Sequence, residues 1–198
     1  MILRIALALA LTIVVSTSAH AQHGGGASSV RVAPPEAKQF AFLIGQFELE
    51  VKPAASGLDQ RMHGVPKLIG IWRAWRALDG FGIEDELRIT DEAGNPKSLT
   101  HAVRYCDADA KRWRATTIDA YRGVFTSSTA QWREKEMVST AAGNDADGRG
   151  YVARGRYYDI TPNSFIFRQE RSYDEGRTWE EPTLTISAKR VAASASRQ

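Results

Sequence analysis

The chain has 198 residues, a formal net charge of +3, 43% hydrophobic residues and one cysteine. That length suits one domain and is short for two. A lone cysteine excludes an intrachain disulfide, so the fold must rest on its core. Basic residues alternate with acidic ones instead of forming a stripe, which excludes a nucleic-acid-binding surface.

Met1 to Arg4 makes a positive start, Ile5 to Val15 is apolar apart from Thr12, and Ser16 to Ala21 ends in Ala19-His20-Ala21. These are the three parts of a secretory signal peptide, predicted over residues 1–21 with cleavage after Ala21. The apolar run falls short of the roughly 20 residues a spanning helix needs. No cysteine stands near the exit to carry a lipid. The expectation is a periplasmic or secreted protein with no stable membrane anchor after cleavage.

Residues 22–38 are rich in Gly, Ala, Ser and Pro and are expected to form a flexible lead-in. Residues 192–198 form a similar tail, leaving one domain over 39–191. Only Pro35–Ile44 has a helical pattern, worth one or two turns, and it is placed as a cap on one end of the fold.

The rest is a series of β-branched and aromatic runs broken by turn residues. Gln46–Lys52 alternates, with Phe47, Leu49 and Val51 on one face. Lys67–Leu78, Phe81–Thr90, Leu99–Tyr105, Arg112–Ile118 and Tyr121–Trp132 follow. Lys135–Thr140, Tyr151–Ile160, Ser164–Tyr173 and Thr183–Val191 complete the series. Asp, Asn and Gly fill the breaks, tolerating the φ values of tight reversals. Short connections force antiparallel neighbours, since a parallel crossover needs a dozen residues or more. The predicted fold class is all-β, an antiparallel meander of about 8–10 strands. Closure into a barrel would remove two long exposed edges. A β-sandwich satisfies the same strand count.

Ser172-Tyr173-Asp174-Glu175-Gly176-Arg177-Thr178-Trp179 resembles the Asp-box of sialidases and related propellers, with Ser172, Asp174, Gly176 and Trp179 at its key positions. It is expected to be a structural turn, because propellers carry several copies and this chain has one. His23-Gly24-Gly25-Gly26 looks like an esterase oxyanion segment, but the chain has no G-x-S-x-G. His63 and His101 lack partners at metal-ligand spacing, so no metal and no cofactor is expected.

The candidate binding residues are aromatic or charged. Trp72 and Trp75 differ by an odd number, so one should enter the barrel and the other should pack beneath the cap. Asp85 interrupts the apolar face of Phe81, Ile83, Leu87 and Ile89, and a buried carboxylate needs a partner. A hairpin bending at Ala93-Gly94 brings Asp85 near Ala102 to Arg104, within diagonal reach of the guanidinium. A slip of one residue would put the two on opposite faces. His101, Tyr105 and Trp113 complete the candidate ligand-binding set, which assigns no catalytic residue.

Several segments together resemble bacterial lipocalin-like, calycin-type proteins of unknown function. Phe42-Leu43-Ile44-Gly45-Gln46-Phe47 is similar to their F-L-x-G-x-W opening. Leu78-Asp79-Gly80, Ile83-Glu84-Asp85, Val103-Arg104-Tyr105 running into Asp107, and Trp113 match the middle. Ser172 to Trp179 matches a late turn. Phe47 stands where the family has Trp, and Cys106 separates Tyr105 from Asp107. The resemblance implies a barrel with a central cavity and no established reaction. Haem-binding relatives, the nitrobindins, use a late histidine; here the last is His101, so haem ligation is not implied.

Three functions fit these features. One is a barrel binding a small apolar or amphiphilic ligand among Trp, Tyr and the Asp85/Arg104 anchor. Another is an enzyme on the same barrel, with Asp85 or His101 as general base. The third is a structural or interaction domain with a filled core.

Overall fold

The computed structural model describes residues 32–54 and 67–192. The predicted signal peptide, its exit at Ala21, most of the lead-in, His63 and the tail from residue 193 lie outside these residues. Ten strands are present: β1 (Gly45–Pro53), β2 (Leu68–Ala77), β3 (Gly82–Asp91), β4 (Pro96–Asp107) and β5 (Arg112–Asp119), then β6 (Val124–Arg133), β7 (Glu136–Asn144), β8 (Gly150–Tyr158), β9 (Ser164–Ser172) and β10 (Leu184–Arg190). Each pairs antiparallel with its sequence neighbours, and β1 pairs with β10 to close the barrel. The open sandwich is thereby excluded, and the fold is an all-β, lipocalin-like meander.

Closure follows from the period-2 pattern. Phe47, Leu49 and Val51 of β1 lie opposite Trp72, Gly70 and Leu68 of β2, and Leu49 and Val51 lie opposite Ala188 and Ile186 of β10. Paired residues point to the same face, so each apolar set enters the lumen. One glycine is required by packing: a Cβ on Gly155 would sit 2.9 Å from the Phe167 ring. The Phe167 ring of β9 therefore occupies the space that a side chain at 155 would take.

The two ends differ. At one, two 3₁₀ turns, Pro35–Lys38 and Ala41–Leu43, push Phe40 and Leu43 into the lumen, where both are fully buried. Phe40 meets the Trp113 edge at 4.9 Å and the Tyr157 ring at 5.8 Å, T-shaped arrangements that suit the ring quadrupoles. The cap begins earlier than the lead-in boundary at residue 38 implies, because Ala37 is already buried. Arg190, at the end of β10, locks it. Its guanidinium donates to the Ile44 carbonyl at 2.6 Å and the Phe42 carbonyl at 3.1 Å, and stacks over Phe47 at 4.5 Å. Those carbonyls have no partner within so short a turn, so a side chain supplies the donor.

Candidate functional site

At the other end the lumen opens into a cavity of about 330 Å³. This lies near the lower end of the ~300–1,000 Å³ typical of small-molecule sites. One wall is apolar, formed by Trp72, Leu87, Ile89, Phe167 and Leu184. The facing wall carries hydroxyls from Ser98, Thr100, Thr117, Thr126, Ser128 and Ser139. Strand alternation produces the second wall, since Ser98 and Thr100 in β4 occupy inward positions where a packed core would need Val or Ile. These hydroxyl residues were not singled out from the sequence. The available signal was Ser or Thr at every second residue on the inward face of consecutive strands.

The inner end of the cavity is built around Asp85. The register sets Asp85 across from Ala102 and Arg104 across from Ile83, so the carboxylate and guanidinium share the inner face on a diagonal. Arg104 Nε donates to Asp85 Oδ2, and Nη2 donates to Oδ1 at 3.2 Å. The Trp72 indole N–H donates to Oδ1 at 2.9 Å. The ion-paired side chains are only 10% and 4% exposed. Burial works against the Arg104 charge, but the Asp85 carboxylate outweighs it and holds the guanidinium protonated. Burial pushes the Tyr157 phenol up against the opposing pull of Arg104, with Asp85 adding to the rise, so it stays neutral. The floor is thus a desolvated, net-neutral polar cluster, closed from behind by Phe40 at 5.3 Å from the guanidinium carbon.

Of the candidate residues, only Trp72, Asp85 and Arg104 line this cavity. Trp75 does not pack beneath the cap. Odd spacing from Trp72 puts it on the outer surface, 41% exposed, with its ring 5.8 Å from His101. His101 is also outward, with Nε2 3.4 Å from Glu84. Tyr105, one residue past Arg104, faces outward by the same parity and borders a shallow external depression of about 610 Å³. Trp113 points inward but belongs to the closed end, where its indole donates to Gln39 at 3.1 Å. Cys106 is buried beside it, and burial pushes its thiol up.

The segment from Ser172 to Trp179 folds over the outer face of β8 and β9. Asp174 Oδ1 accepts from the Ser172 hydroxyl at 2.7 Å and the Thr178 amide at 2.8 Å, and Oδ2 accepts from the Thr178 hydroxyl at 2.7 Å. Glu175 and Gly176 take positive φ values of 63° and 89° at the reversal. Arg154 is sandwiched there, 3.8 Å from the Trp179 ring and 2.7 Å from Glu170. These contacts lie outside the barrel and none touches the cavity lining.

The fold and site define a closed ten-stranded barrel with a half-apolar, half-hydroxylated interior. No family model and no curated protein matches the sequence. Among solved structures, the chain is similar to the S-type phycobiliprotein lyase CPES from Guillardia theta, with a TM-score of 0.51 at 10% identity. The match covers 79% of this chain and 92% of that one. At that identity the likeness concerns the fold.

Proposed function

We propose that this protein is an exported barrel, periplasmic or secreted, that holds one small apolar or amphiphilic molecule in its lumen. The observation that carries the reading is the cavity's two-sided wall above a net-neutral polar floor. An amphiphile can lay its apolar side on Phe167 and Leu87 while its polar edge meets the threonine hydroxyls. The Asp85–Arg104–Trp72 cluster supports a binding role over catalysis. Asp85 is tied to Arg104 and Trp72 in a buried cluster, and His101 stands outside the barrel. A barrel of the same fold in a phycobiliprotein lyase fits this reading. Export rests on the charged start, the apolar run and the Ala19-His20-Ala21 exit.

The test uses N-phenyl-1-naphthylamine, an uncharged dye that brightens in apolar surroundings. The full chain should bind it saturably, one dye per barrel. Thr117→Phe, which fills the lumen from the hydroxyl wall, should abolish the signal without lowering the melting temperature. Undiminished binding by that variant would sink the lumen as the site.

A further inference from the structure

Above the cavity, the inward columns of β8 and β9 continue to the rim. Arg171 is paired with Ala153, whose side chain lines the lumen, so Arg171 stands on the inner face at the mouth. Tyr151, two residues beyond Ala153, lies across Gly143, where a Cβ would come within 2.7 Å of its ring. Arg171 stacks over Tyr151 at 4.4 Å, Tyr151 meets Tyr173 edge-on at 6.0 Å, and Arg149 stacks over Tyr173 at 4.1 Å. Two guanidiniums and two phenol rings therefore form one ladder on one side of the opening.

Among the described residues, neither arginine has a carboxylate within ion-pair distance, unlike Arg104, Arg154 and Arg156. Two acids near the mouth are tied into their own turns. Asp145 accepts from the backbone amides of Asp147 and Arg149, and Asp119 on the opposite wall accepts from those of Tyr121 and Arg122. Stacking on an aromatic face fixes a guanidinium plane and leaves its N–H edge free for an anion.

We propose that the ligand is an anionic amphiphile, with a carboxylate head held at the rim by Arg171 and Arg149 and an apolar tail in the lumen. The proposal rests on the lumen-binding reading above and adds the head-group chemistry. It also explains a net-neutral cavity floor, since the charge is met at the mouth and the tail end needs no counter-ion.

Decanoate, decanol and decyltrimethylammonium are competed against N-phenyl-1-naphthylamine on the full chain. Decanoate should bind about tenfold tighter than decanol, the strength of a charge-assisted contact at a partly exposed site. Decyltrimethylammonium should bind weakest. Arg171→Gln, and more fully Arg171→Gln with Arg149→Gln, should bring decanoate down to decanol while decanol affinity and melting stay unchanged. Raising the ionic strength should shrink the preference in the parent chain alone. Equal affinities in the parent, or a preference that survives in the double variant, overturns the rim assignment. In that event the lumen reading still stands if Thr117→Phe weakens both alkyl ligands. Failure of every alkyl compound to displace the dye overturns both.

Discussion

Asp85 stands directly across from Ala102, and that register places Arg104 on its diagonal, with Nε and Nη2 both donating to the carboxylate. The pair is buried, so neither charge can turn to water when its partner is removed. Asp85→Asn and Arg104→Met should each cost about 3–5 kcal/mol in urea unfolding, by stranding the other group. The double replacement should be milder than the sum, because no charge then remains to be desolvated. Strictly additive losses would contradict the diagonal contact.

The indole of Trp72 makes a parallel prediction. Trp72→Phe keeps an aromatic ring but removes the N–H that donates to Asp85 and part of the buried ring volume. It should destabilise the fold by about 1–3 kcal/mol, and N-phenyl-1-naphthylamine should bind more weakly because the apolar wall shifts. Trp75→Phe, on the outer face, should stay within about 0.5 kcal/mol of the parent and bind the dye normally. Equal effects at the two positions would mean that strand parity does not separate them.

Acid should weaken the protein through two turn carboxylates. Hydrogen bonds from the Asn95 side chain and backbone hold Asp91 at about 2. The Thr178 amide and hydroxyl, with the Ser172 hydroxyl, hold Asp174 well below the usual carboxylate range. Both folded values lie below the unfolded one, so the folded state binds fewer protons between them. Their contribution is fully present above about pH 4 and is lost as pH falls through the folded values. The urea midpoint should therefore fall between about pH 4 and pH 2. Asp91→Asn and Asp174→Asn should each flatten that fall, and curves parallel to the parent would rule the two turns out as its source.

The export proposal makes a prediction independent of the barrel. Protein recovered from the periplasm or medium of a bacterial host should begin at Gln22, open or cyclised, in N-terminal sequencing. An intact Met1 in that pool would remove the compartment assignment and leave the lumen reading untouched.

The strand number and the antiparallel order were legible in the chain itself. Alternating runs such as Phe47-Glu48-Leu49-Glu50-Val51, broken by Asp, Asn and Gly, leave few other ways to bury one face of each segment. Asp85 also announced itself, as a carboxylate on an apolar face. Its contact with Arg104 did not, because β-pairing has period 2 and a slip of one residue sends a side chain through the sheet. The same ambiguity explains why Trp75, His101 and Tyr105 entered the candidate set although they stand on the outer surface: sequence shows that neighbours alternate, and only closure of the barrel shows which set is inside. The hydroxyl wall and the Arg171–Tyr151–Tyr173–Arg149 ladder draw on residues from strands and loops whose cross-strand register was unknown. Local chemistry determines where strands start and stop, whereas the lumen and its mouth exist only once β1 meets β10.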